Sequence, residues 1–116
     1  MRHHNKNRKF GRKTNQRHAL LKSLACSLIR DEKIVTTEAK ARELRPFIEK
    51  VVTHGKNNTV ASRRLIASRL GSKDMANKVI TDISSQYVER AGGYTRIIKL
   101  PLRQTDAAKM AQIEFV

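Results

Sequence analysis

Leu20, Leu21, Leu24, Leu28 and Ile29 recur at steps of three and four residues, the spacing that gathers side chains on one face of an α-helix. The pattern predicts an amphipathic helix of about sixteen residues. Thr14 or Asn15 is its expected N-cap, the end falls near Arg30–Asp31, and His18, Lys22 and Arg30 lie on the opposite side. Glu32 to Thr36 is short and β-branched, which predicts a strand. Thr37 then caps a second helix whose buried face is Ala41, Leu44, Ile48 and Val51, with Phe47 and Val52 beside it. Pro46 interrupts that pattern, so a kink is expected, and Gly55 is the expected residue just past the helix end. A third helix is predicted from Asn57 or Asn58 to Gly71, and its apolar residues do not collapse onto one stripe. Ser72 caps a fourth, in which Met75, Ala76, Val79, Ile80, Ile83 and Tyr87 share one apolar arc.

Gly92-Gly93 breaks the chain before a strand from Tyr94 to Leu100, which Pro101 ends. Ala111, Ile113 and Phe115 alternate with Gln112 and Glu114 in a last, half-buried strand that is expected to form an antiparallel hairpin with the one before. The order is α-β-α-α-α-β-β. An α+β body of two layers, with a small three-stranded sheet covered by helices on one face, is the simplest way to bury these stripes. Nothing divides residues 14–116, which are expected to form one globular domain, with residues 1–13 as a separate arm.

Charge changes the picture most. The chain has 116 residues, 25 of them Lys or Arg against 10 Asp or Glu, a formal charge of +15. The first eighteen residues hold seven Lys/Arg, three His and no acid, with only Met1 and Phe10 large and apolar. Such a segment cannot bury enough surface to offset its ordering entropy, so it reads as a basic arm that orders against a polyanion. From Lys50 to Lys73 there is again no acid, and Arg63, Arg64 and Arg69 interleave with the apolar positions of the third helix. Self-repulsion on this scale favours a partner rich in phosphate. A membrane surface is the weaker candidate, because no apolar run reaches the ~18 residues a span needs. The single Cys26 closes no internal disulfide, which fits a reducing compartment.

Catalytic chemistry has little to stand on. The acids are mostly dispersed singles, and there is no HExxH, CxxC or glycine-rich phosphate loop. No metal, cofactor or small-molecule substrate is expected, and the chain reads as a non-enzyme. Binding has more material: guanidinium groups grip phosphate bidentately, and small residues in the arm (Asn5, Asn7, Gly11, Asn15) let its backbone approach a folded RNA. The candidate RNA contacts are Arg2, His3, Lys6, Arg8, Lys9, Arg12, Lys13, Arg17, Arg63, Arg64, Arg90, Tyr94 and Arg96. Tyr94 divides evenly between stacking on a base and a structural place at the start of its strand. No helix-turn-helix, zinc finger, zipper or RNP aromatic set is present. A small body with a basic arm therefore suits shape-reading of a large folded RNA, and a nucleoid-type DNA-binding protein is the runner-up.

Several stretches carry a family resemblance: Met1-Arg2-His3, Arg8-Lys9-Phe10-Gly11-Arg12, Arg17 with Ala19-Leu20, and Thr36-Thr37 leading into Lys40-Ala41-Arg42-Glu43-Leu44-Arg45. Arg63-Arg64, Arg90-Ala91-Gly92-Gly93-Tyr94-Thr95-Arg96-Ile97 and Ile113-Glu114 follow in order. The chain resembles, essentially end to end, the bacterial ribosomal protein L-seventeen family. His4 and Asn7 stand where that family often has glycine, Gln16 where it often has histidine, and Pro46 is unusual within its helix. The resemblance implies a structural protein of the large ribosomal subunit. It would bind ribosomal RNA near the peptide exit tunnel, touch neighbouring ribosomal proteins, and reside on cytoplasmic ribosomes.

Overall fold

The computed structural model describes Arg8 and residues 10–116. Helix α1 spans Thr14–Asp31. Its N-cap is Lys13, not the expected Thr14 or Asn15. The Gln16 Oε1 accepts from the Lys13 N–H at 3.2 Å, and the Thr14 hydroxyl accepts instead from the Arg17 guanidinium at 3.1 Å. Strand β1 follows at Lys33–Thr37. Thr37 caps helix α2, Glu38–Gly55, as its position predicted, with its Oγ1 accepting from the Lys40 N–H at 3.3 Å.

Helix α2 is unbroken across Pro46, which lies on the exposed side where water can serve the carbonyl that lacks its N–H partner. The helix also includes Gly55, which was expected just beyond it. The cause is packing rather than backbone freedom. Gly55 is buried, and a Cβ there would lie 2.3 Å from the Ser84 Oγ and 3.1 Å from the Val79 Cγ1. Ser84 cannot swing aside freely, because its hydroxyl donates to the Val52 carbonyl at 2.9 Å.

Helix α3, Val60–Leu70, is capped by Thr59 (Oγ1 to the Ser62 N–H, 3.1 Å) rather than by Asn57 or Asn58. Asn58 instead takes a left-handed conformation, φ 47°, in the turn before the cap. Gly71 ends α3 with φ 73°, donating to the Ala67 carbonyl, as a C-terminal glycine should. Ser72 caps α4, Lys73–Lys78, which runs on through a π turn at Val79–Ile83 and a 3-10 turn at Ser84–Tyr87. The predicted apolar arc survives the change of pitch: Ala76, Val79, Ile80, Ile83 and Tyr87 are all buried, while Met75 is half-buried against the core.

Strands β2 (Thr95–Leu100) and β3 (Met110–Phe115) pair antiparallel, and β1 pairs with the other edge of β3, giving the order β1-β3-β2. Ile34, Ile113 and Ile97 form one row across the inner face, and Val35, Gln112 and Ile98 one across the outer face. Helix α2 packs against all three strands and against α1, α3 and the π turn. Its Ala41, Leu44, Ile48, Val51 and Val52 are fully buried, meeting Leu28 and Ile29 of α1, Ile66 of α3 and Ile113 of β3 in one core. The two-layer α+β arrangement and the element order are those expected from the periodicities.

The close contact at Gly55 generates a stability prediction. Gly55→Ala should cost about 1–3 kcal/mol by overpacking, read as a lower urea midpoint. Combining it with Ser84→Ala should cost less than the two single changes together, because the colliding hydroxyl is gone. An unchanged midpoint for Gly55→Ala would refute the close packing.

Candidate nucleic-acid interface

Ten carboxylates cannot neutralise twenty-five cationic side chains, so their placement decides which bases keep their charge available. Glu38, Glu43 and Glu49 all lie on α2. Glu38 takes Arg42 at 2.6 Å and Lys99 at 4.0 Å, Glu43 takes Arg8 at 3.1 Å, and Glu49 takes Arg45 at 3.4 Å. Glu49 also accepts from the Thr95 hydroxyl at 2.9 Å, which ties α2 to the start of β2. Arg30 pairs with Asp31, Arg96 with Glu114 across the sheet, and Arg103 with Asp106 in the β2–β3 loop. Among the described residues no such pair reaches Arg63, Arg64, Arg69 or Lys73.

Of the sequence candidates, Arg2, His3, Lys6 and Lys9 lie outside the described residues. Arg8 is fastened to Glu43 at the rim of a cleft of about 590 Å³, which Arg42, Lys99 and Lys109 also line, together with Glu38. Arg12, Lys13 and Arg17 gather at the start of α1. There the Arg17 guanidinium donates to the Arg12 carbonyl at 2.9 Å, and Arg12 donates to the Phe10 carbonyl at 2.8 Å. The turn carrying them has two successive left-handed residues, Phe10 (φ 54°) and Gly11 (φ 62°). Arg90 is exposed at a different corner, donating to the Gly92 carbonyl at 3.1 Å, and Arg96 lies on the outer face of the sheet.

Tyr94 is the candidate that the structure removes. Only 1% of it is exposed, its ring lies 5.2 Å from that of Tyr87, and the Lys56 ammonium sits 5.1 Å from its centroid. Its hydroxyl meets Thr53 at 3.2 Å and Lys56 at 2.9 Å. Burial raises the phenol's pKa, but the hydrogen bonds to Lys56 and Thr53 outweigh it and leave the group somewhat more acidic than usual. The ring is part of the core and has no face to offer a base. Cys26 is structural too: burial pushes its thiol up against the opposing pull of Arg30 and Lys22, and the Sγ donates to the Leu70 carbonyl at 3.5 Å.

Arg63 and Arg64 flank a second, smaller cleft of about 180 Å³ where α3 meets α4, floored by Ala67 and Ala76 and closed by Lys73 and Asn77. No carboxylate lines it. Among the described residues no set of His, Cys, Asp and Glu is grouped to hold a metal, and no helix is long and apolar enough to cross a membrane.

The ribosomal protein L17 family matches residues 20–116. The chain is similar to the large ribosomal subunit protein bL17 of Fusobacterium nucleatum subsp. nucleatum, 47% identical over 116 residues that cover both chains completely. Its similarity to bL17 of Sulfurimonas denitrificans is 50% identity over 117 residues, again covering both completely. The chain belongs to the ribosomal protein L17 family. It is therefore a structural, non-enzymatic constituent of the large ribosomal subunit, acting in translation on the cytoplasmic ribosome as part of an assembly of ribosomal RNA and other ribosomal proteins. The family match covers every element from α1 through β3, starting within α1.

Sequence reasoning passed over Lys73 and Asn77 at the smaller cleft, Asn58 beside Arg63, and Arg42, Lys99 and Lys109 at the larger one. Neutral amides far apart along the chain carry no signal until the helices are packed. The hairpin bases were hidden for a similar reason, since only the register of β2 brings Lys99 toward Glu38.

The Arg103–Asp106 pair yields a pH prediction. The Arg103 guanidinium, helped by the Ala108 N–H, holds the Asp106 carboxyl down at about 2, below the ordinary 3.8. A depressed carboxylate stabilises its loop above the ordinary value and loses that contribution as pH falls from about 4 toward 2. Carbon-detected titration should place the Asp106 midpoint near 2, and Arg103→Ala should return it toward 3.8. A midpoint unmoved by that change would rule out the pair as the cause.

Proposed function

We propose that this chain binds large-subunit ribosomal RNA through two basic surfaces and thereby supports subunit assembly and architecture near the peptide exit tunnel. Residues 1–13 act as an RNA-binding arm, and residues 14–116 form the single globular domain that carries the second surface. Arg2, His3, Lys6, Arg8, Lys9, Arg12, Lys13 and Arg17 are the arm-side contacts. Arg63 and Arg64 on α3, with Arg90 and Arg96, are those of the body. Neighbouring large-subunit proteins are secondary partners.

The observation that carries this reading is the uneven neutralisation. The carboxylates of α2, the sheet and the hairpin loop engage cations of the body, whereas among the described residues α3 and the start of α4 present theirs without one. Arg8 is the arm-side exception. Its pair with Glu43 joins an Arg side chain that is 40% exposed to a Glu that is 17% exposed. Pairs of this kind contribute at most about 1 kcal/mol, so a phosphate can take Arg8 over at little cost. Phosphate contacts position a protein without reading sequence, which suits a structural constituent bound to one folded RNA.

Two outcomes follow. If about ten phosphates are neutralised on duplex-like RNA, log affinity should fall against log salt with a slope of roughly −9. A slope near zero would refute the electrostatic reading. Deleting residues 1–13 should sharply reduce incorporation into the large subunit while leaving the circular dichroism of the body helical. Normal incorporation of the truncated chain would count against the arm.

A further inference from the structure

Arg63 differs from the arginines that pair with acids. Arg8, Arg30, Arg42, Arg45, Arg96 and Arg103 each have a carboxylate oxygen within 3.4 Å. Arg63 is held from both ends by neutral groups: one terminal nitrogen donates to the Asn77 Oδ1 at 3.2 Å, the other to the Asn58 Oδ1 at 3.0 Å. Amide oxygens fix the plane of a guanidinium without cancelling its charge. Two of its five N–H donors are used, and three remain.

The two amides come from opposite sides. Asn58 reaches Arg63 from the turn before α3, where its left-handed backbone (φ 47°) is one that asparagine tolerates better than most residues. Asn77 reaches it from α4. The guanidinium so held stands beside the 180 Å³ cleft, whose rim also carries Arg64 and Lys73 and whose floor is the two alanines. Small apolar side chains there allow close approach, and no aromatic lines the cleft to stack a base. Asp74 and Asp82, the acids on α4 and its continuation, neither line the cleft nor pair with its cations among the described residues. The larger cleft has no comparable claim, because Glu38 already engages its Arg42 and Lys99.

We infer that the α3–α4 corner is a seat for one backbone phosphodiester, gripped by Arg63, Arg64 and Lys73, with Asn58 and Asn77 as positioning residues that orient Arg63 while leaving it charged. The seat rests on the RNA-binding reading above and names the group it holds. Because the guanidinium is ordered beforehand, little side-chain freedom is lost when the phosphate arrives. The contact is to the sugar–phosphate chain and indifferent to the base.

Asn77→Asp and Asn58→Asp test the seat in the full-length chain, bound to large-subunit ribosomal RNA over a salt series. Each keeps the shape and the acceptor oxygen, so the fold and the Arg63 orientation persist, but each supplies the missing carboxylate. Affinity should fall about tenfold at fixed salt, and the salt slope should become less negative by about one, the loss of a single phosphate contact. Gln104→Glu in the β2–β3 loop makes the same charge change away from the seat and should have a much smaller effect. Thermal stability should not fall in the two Asn variants, which separates lost binding from lost structure. Asn77→Asp indistinguishable from Gln104→Glu in RNA binding would overturn the seat while leaving the broader reading intact. A wild-type slope near zero would instead overturn both. Millimolar inorganic phosphate should displace the RNA no better than chloride at equal ionic strength; selective displacement would assign the seat to free phosphate and overturn the diester.

Discussion

Burial of α2 is the interaction on which the rest of this molecule depends. It packs against all three strands, and it meets α1, α3 and the π turn as well. Five of its apolar side chains are fully enclosed: Ala41, Leu44, Ile48, Val51 and Val52. Each large aliphatic among them contributes roughly 1.5–3 kcal/mol by leaving water. At Gly55 the helix surface comes so near Ser84 that no side chain fits between them. Without α2 the small sheet would have no second layer, and three short strands alone do not hold together unless their apolar face is covered.

The same helix carries three of the six carboxylates that pair with cations among the described residues. Glu38, Glu43 and Glu49 draw in Arg42, Lys99, Arg8 and Arg45. Central packing and charge compensation thus coincide on one element, and part of the repulsion inherent in a +15 chain is relieved on the helix at the centre of the core. Helix α3 shows the opposite arrangement. It buries Ser62, Ile66 and Leu70, leaves Val60 and Leu65 exposed, and orients Arg63 with amides instead of acids. The contrast between the two helices fits a protein that meets polyanion at the α3 surface.

Periodicity made the element order, the strand pairing at the hairpin and the composition of the core legible before any coordinates. Those features follow from local spacing of apolar residues, and local spacing is what a sequence displays. The start of α3 was placed early because Asn57, Asn58 and Thr59 all favour the beginning of a helix; only the turn geometry selects Thr59 as its cap. Gly55 was misjudged because a glycine near a helix end and a glycine beneath a neighbouring segment look alike in sequence. The distinction lies in Ser84, twenty-nine residues away. Tyr94 resolved toward the core for an equally non-local reason, the meeting of its ring with Tyr87 and of its hydroxyl with Thr53 and Lys56. The charge of the candidate interface was legible, but its internal organisation was not, since a count of arginines cannot tell a guanidinium facing glutamate from one facing asparagine.

The strand order has a consequence for how the protein is made. The middle position of the sheet belongs to β3, the last strand, while β1 and β2 flank it without touching each other. A nascent chain can bring its helices together early, yet both flanking strands stay without a hydrogen-bonding neighbour until residues 110–115 have been synthesised. Closure of the sheet is therefore a late event joining segments far apart in the chain, and such long-range pairing is slow to form. Translation halted before that point yields a product with two bare strand edges, a form suited to aggregation or degradation rather than to incorporation.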